Sequence, residues 1–324
     1  MDLLHTKQEL RTALGLTRAG GARVALVPTM GALHAGHAAL IEAAARDCDL
    51  VVVSVFVNPT QFAASEDLQR YPRDLDSDAA FAAHAGADLL FAPSVEELYG
   101  RVAEPLSQTT VATGELGRIW EGALRPTHFA GVALVVTKLL SLVGPDRAYF
   151  GEKDYQQLCV IRQLVRDLDI PAQIIGVPTV REEDGLALSS RNRYLDGAQR
   201  EQATVIFAAL DGAQAAAQAG ERSARRLEAI AAAALQAARS EAGAETDSSD
   251  LEIGYCALVD PDTLQRVAVL DRPARLLISV TLAGVHLIDN AQIDPADRMG
   301  SGTVLSSNDK TVPDPILSAD DKTG

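Results

Sequence analysis

The chain has 324 residues, a formal charge of -15 with histidine neutral, and three cysteines. That length can bury two cores, while the acidic balance excludes the basic stripe that a nucleic-acid backbone needs. Cys48, Cys159 and Cys256 are isolated and odd in number, as in a cytoplasmic protein with reduced thiols.

MDLLHTKQEL has no apolar signal core, and Thr6 and Glu9 have capping-box spacing for a first helix. A short apolar strand follows over Arg23 to Val27, ended by Pro28, and the alanine-rich stretch His37 to Arg46 reads as helix. Leu50 to Val57 reads as a buried strand, far shorter than the roughly 20 residues of a membrane span. Helix is expected over Asp74 to Ala85, strand over Asp88 to Phe91, and a cap at Ser94 with Glu97. His128 to Val143 is apolar all round, as in a helix packed on both sides. A strand over Asp146 to Phe150, a helix over Asp154 to Leu168 and a strand over Ala172 to Val177 complete the alternation. This order predicts an α/β fold, a Rossmann-like parallel sheet with helices on both faces and ligands at the carboxyl ends of its strands.

From Thr179 the composition changes. One alanine-rich helix is capped by Asp196 and Gln199 and runs to about Gly220, and a second spans Ser223 to Ala242. A polar loop at 243–250 leads to two strands, Leu251 to Val259 and Arg275 to Leu282. The expectation is three parts: residues 1–178 as the sheet domain, 179–293 as a smaller α+β C-terminal domain, and 294–324 as a disordered tail rich in Asp, Ser, Gly and Pro.

The densest chemistry is VPTMGALHAGH, Val27 to His37. Gly31 and Gly36 let backbone approach a ligand, and the turn opens a helix whose mouth offers N–H donors and partial positive charge to phosphates. His34 and His37 add imidazole donors for oxygens that gain charge as pyrophosphate leaves an α-phosphorus. ATP is the ligand this pattern predicts. A capped, solvated helix start is the bland alternative, and zinc a third, without HExxH or CxxC to support it.

Three further post-strand loops carry polar residues. Gln61 lies in NPTQF; Lys153 lies in GEKD, followed by Gln156 and Gln157; Ser189, Ser190 and Arg191 follow Leu188. Lysine and arginine suit phosphate oxygens, and neutral amides can orient a hydroxy acid without neutralising its nucleophilic oxygen. Gln156 and Gln157 fall on different helix faces, so at most one enters a given pocket.

With VPTMGALHAGH, FVNPTQF, RPTHFAGV, FGEKDYQQL and LSSRNRYL in this order, the chain resembles the pantothenate synthetases, the pantoate and β-alanine ligases, from its first helix to about Ile293. HxGH alone would mark only the wider nucleotidyltransferase superfamily. The resemblance implies a two-step reaction: pantoate carboxylate attacks the ATP α-phosphorus, and the β-alanine amine then takes the acyl group from pantoyl adenylate, giving pantothenate and AMP. It places ATP against Met30, Gly31, Ala32, Leu33, His34, Ala35, Gly36 and His37, against Gly151, Glu152, Lys153 and Asp154, and against Val180 and Leu188 to Arg191. His37 matches the catalytic histidine, with His34 and Lys153 beside it; Gln61 matches the glutamine shared by pantoate and β-alanine, and Gln157 the second pantoate glutamine. Mg²⁺ is implied on the phosphates, with no certain protein ligand; Asp76 and Asp78 read as solvated residues of a helix start, with a reach toward the ion as the alternative. By the same resemblance the C-terminal domain is a lid hinged near Val177 to Thr179, and the larger domain forms a homodimer.

Thr127 and His286 depart from the family, which commonly has glycine and arginine there; both bear on packing. Two alternatives stand beside the ligase: another HxGH nucleotidyltransferase that releases its adenylylated product, and a catalytically silent nucleotide-binding protein.

Overall fold

The computed structural model describes residues 1–62, 68–100, 109–242 and 251–296. The tail from 297 onward and the polar loop at 243–250 lie outside the described residues. The first layer runs β1 (Asp2–Leu4), α1 (Lys7–Ala19), β2 (Val24–Thr29), α2 (Ala35–Asp47), β3 (Leu50–Val55), α3 (Leu75–Ala85), β4 (Leu89–Phe91) and α4 (Val95–Tyr99). It continues through α5 (Glu121–Leu124), α6 (His128–Val143), β5 (Arg147–Gly151), α7 (Tyr155–Asp167) and β6 (Gln173–Val177). The six strands pair in parallel in the order β1-β4-β3-β2-β5-β6. β1 was not foreseen; its three residues pair with β4 through Asp2↔Leu89 to Leu4↔Phe91.

Alternation along the strands builds two cores. Leu26, Val52, Phe91 and Phe150 pack on one face with α1, α6 and α7; Val27, Val53, Leu90 and Tyr149 pack on the other with α2 and α3. Helix α6, apolar all round, buries nine of its sixteen residues, so it does pack on more than one side.

The chain lays down β2, β3 and β4 outward, then returns to place β5 on the other side of β2. This is the switch point where an open parallel sheet leaves a crevice. Pairing of β2 with β5 stops at Leu26↔Ala148, while pairing with β3 continues to Thr29↔Val55. Pro28 therefore does not end the strand, contrary to the sequence expectation. Thr29 faces β3, its C=O accepting from Phe56 N–H at 3.1 Å, so Pro28 faces the β5 side, where no ladder bond is asked of it.

The second unit has α8 (Gly197–Gln202), α9 (Val205–Gln218), α10 (Ala224–Ala242) and an antiparallel sheet of β7 (Leu251–Val259), β8 (Ala274–Leu282) and β9 (Val285–Ile293). The first expected helix is divided at Ala203–Thr204. Strand β9 was missed because Asp289 and Asn290 interrupt its apolar pattern. Both are buried, and Ala283 and Gly284, at φ 48° and 77°, form its two-residue turn with β8. No helix among the described residues is long and apolar enough to cross a membrane.

Candidate active site

After β2 the chain turns sharply at Gly31, φ 86°. The turn is held by Asp78 of α3, whose buried carboxylate accepts from the N–H of Ala32 at 3.0 Å and Leu33 at 2.7 Å. A Cβ on Gly31 would lie 2.8 Å from Asp78 Oδ2, so glycine is required by space as well as by φ. Asp78 is thus neither solvated nor free to reach an ion; Asp76 is exposed, as read.

The turn delivers His34 as the N-cap of α2. His34 Nδ1 accepts from Gly36 N–H at 3.1 Å, and His37 Nδ1 accepts from His34 N–H at 3.2 Å. Each ring thereby has its Nδ1 lone pair engaged and its proton on Nε2. Burial, reinforced by Lys153 and Arg193, pulls the pKa of His34 down to about 4. Burial, with His34 and Lys153, pulls that of His37 down to about 3. Both are neutral at pH 7, so each ring presents an Nε2–H donor. The backbone N–H groups of Ala32, Leu33, His34, Gly36 and His37 are occupied within the protein, so imidazole donors replace much of the helix-mouth donor set that the sequence suggested.

At the β2–β5 switch point lies a cavity of about 220 Å³. Met30, His34, Gly36 and His37 line it from the first turn, and Gln61 from the loop after β3. Gly151, Lys153, Asp154 and Gln157 line it after β5; Val180 and Leu188 to Arg191 line it after β6. Of the residues matched to ATP, Gly31, Ala32, Leu33, Ala35 and Glu152 do not line this cavity. The first three shape the turn, Ala35 is exposed, and Glu152 pairs with Arg275 at 2.8 Å.

Gln61 is buried, and its Oε1 accepts from Asn58 Nδ2 at 3.0 Å. Asn58 Oδ1 in turn accepts from Tyr99 OH at 2.8 Å and from Thr60, which fixes the Asn58 amide and leaves Gln61 Nε2 as its donor end. Asn58 also lines the cavity; the sequence reading quoted it only as part of its motif. The loop rests on α6 at Gly131, where a Cβ would collide with Thr60 C=O. Gln156 is buried with its amide bonded to Glu121 N–H and to the C=O of Leu116 and Ile119, and only Gln157 lines this cavity; both line the chamber that adjoins it, contrary to the expectation that at most one would enter a given pocket.

A second chamber of about 100 Å³ shares Met30, Gln61, Lys153, Asp154 and Gln157 with the first. Its far wall holds Glu121, Tyr255 and His286. Burial alone would raise the Glu121 pKa, but His286 Nε2 at 2.7 Å, with Arg125 and His128, brings it below the ordinary carboxylate value. His286 is thus the partner of a buried carboxylate.

Parallel strands, a splayed switch point and donor groups converging from four strand ends define an α/β protein that takes its ligand at the carboxyl edge of the sheet. The model of the family described as pantoate-beta-alanine ligase matches residues 2–292, and the chain belongs to that family of enzymes. The pantothenate synthetase of Rhizorhabdus wittichii is 50% identical over 297 residues, covering 91% of this chain and 100% of that one. That of Rubrobacter xylanophilus is 48% identical over 295 residues, covering 90% and 98%. Among solved structures, the pantothenate synthetase of Thermus thermophilus superposes with TM-score 0.82 at 46% identity, covering 91% of this chain and 100% of that chain. The pantoate-beta-alanine ligase of Francisella tularensis, solved in complex with beta-gamma ATP and beta-alanine, gives 0.70 at 32% identity, covering 90% and 97%.

Proposed function

We propose that the chain condenses (R)-pantoate with β-alanine at the expense of ATP, through a pantoyl adenylate, releasing pyrophosphate and AMP. The observation that carries this reading is the meeting of two neutral imidazoles, Lys153 and the two glutamines on one cavity. ATP lies along the turn of His34 and His37 and along Ser189 to Arg191. Pantoate lies against Gln61 and Gln157, with its branched carbon toward the apolar wall of Phe56, Val132 and Val136. In the first step the acid's carboxylate attacks the α-phosphorus while the imidazole Nε2–H groups and Lys153 stabilise charge on the departing pyrophosphate. In the second the amine, approaching from the chamber of Glu121 and Asp154, forms its bond to the acyl carbon as the bond to AMP breaks. Splitting the amide synthesis this way makes the carboxyl reactive, and a site closed over the mixed anhydride keeps water from it.

Mg²⁺ supplies charge neutralisation on the phosphates when bound. Such an ion keeps several waters and needs few protein ligands. The reading extends to a lid formed by 179–293 and hinged near residue 178, and to a cytoplasmic homodimer; the three cysteines are free thiols, and dimerisation rests on the family resemblance.

Exchange of labelled pyrophosphate into ATP tests the first step: it should require pantoate and no amine, and AMP should accumulate only when β-alanine is added. Exchange without amine-dependent AMP would favour a nucleotidyltransferase, and ATP binding with neither reaction a silent binder.

A further inference from the structure

We infer that Asn290 is a positioning residue for Lys153, through which the small antiparallel sheet sets the phosphate-facing ammonium; this rests on the role proposed above for that lysine. Asn290 stands in β9, 137 residues along the chain from Lys153, and is buried. Its Nδ2 donates to the C=O of Glu152 at 2.9 Å and to the C=O of Lys153 at 2.8 Å. One amide therefore grips both carbonyls around the peptide that leads into Lys153. Arg275 of β8 braces the same turn, pairing with Glu152 and stacking 3.9 Å over the Tyr155 ring.

The amide is held for its donors. Asn290 Oδ1 is buried without a partner in the protein, a cost that a leucine of similar volume would avoid. A flipped amide would set Oδ1 against two carbonyl oxygens, so the orientation is fixed. The neighbouring Asp289 is clamped by a two-pronged bond from Arg181, which pins β9 at this point. The turn that carries Lys153 follows a strand of the parallel sheet, yet its carbonyls are satisfied by the other unit. Seating of that unit and placement of the ammonium are thus one event.

A double-mutant cycle on the full chain tests this by pantoate-dependent pyrophosphate exchange, alongside thermal melts. Asn290→Asp, isosteric but turning a carboxylate onto two carbonyls, should lower the exchange kcat by roughly tenfold or more, while KM for pantoate moves by less than about twofold. In a Lys153→Ala background the same substitution should add less than about twofold, because the lysine it positions is gone. Exchange by Asn290→Asp close to wild type, or a full multiplicative loss in the double variant, overturns the inference. Lys153→Ala with undiminished exchange overturns the role of the lysine itself, and is told apart because that variant leaves Asn290 intact. Should Asn290→Asp not fold, Asn290→Ser, too short to reach both carbonyls, goes through the same cycle and is judged by the same outcomes.

Discussion

The backbone N–H of His34 donates to Nδ1 of His37 at 3.2 Å, which leaves His37 a single donor, its Nε2–H, to offer a ligand. Gly36 does the same for His34. The pair is locked as two neutral donors by the helix it caps. His37→Ala should cut pyrophosphate exchange by roughly 10²-fold or more with the fold retained, since one preorganised donor to developing charge is lost. Near-normal exchange in that variant would remove His37 from the mechanism.

Neutral imidazoles also set a pH dependence of stability. The pKa values of His34, His37 and His128 fall from 6.5 to about 4, 3 and 4 on folding, burial being the main cause in each. Below pH 6.5 the unfolded chain binds protons that the folded chain refuses, so these groups subtract stability as pH falls from 6.5 toward 4 and have no such effect above about 7. Urea denaturation across pH 4 to 8 should show this loss, with proton uptake on unfolding near pH 5. A flat profile over that range would contradict the neutral assignment.

Asp78→Ala should cost about 3 kcal/mol, because two backbone N–H groups lose a charged acceptor in a buried turn. The histidines lie at the end of that turn, so exchange should fall with stability. Denaturant melts that match wild type would show the turn holding itself.

Gln61→Ala should raise KM for pantoate and for β-alanine well above any change for ATP, since the Gln61 amide faces the acid in the proposed arrangement. Steady-state kinetics with each substrate varied decides it. A defect confined to ATP would move Gln61 out of the acid subsite.

Gly131→Ala offers a steric version of the same test. Its new Cβ would collide with the Thr60 carbonyl, a rigid backbone atom, and overpacking of that kind costs about 1–3 kcal/mol. The loop of Asn58 to Gln61 should be displaced, so KM for pantoate should rise more than KM for ATP. Unaltered pantoate kinetics would mean that the loop seats independently of α6.

The sequence by itself determined the alternation of strands and helices, the extent of α6, the caps at Thr6, Ser94 and Asp196, and the motifs at the strand ends. These are local: apolar period, side-chain capping and glycine turns act within a few residues. Helix geometry predicted that at most one of Gln156 and Gln157 enters a given pocket; only Gln157 lines the first cavity, yet both line the second chamber. Tertiary structure decided what depended on partners far along the chain. Pro28 continues a central strand because β5 withdraws beside it. Asp78 is buried because the turn 45 residues away presents two N–H groups to it. Strand β9 escaped detection because Asp289 and Asn290 look like loop residues until Arg181 and the Lys153 turn satisfy them. A polar side chain in a sequence does not reveal whether water or a distant backbone group will meet it, and that pairing is settled only when the chain closes on itself.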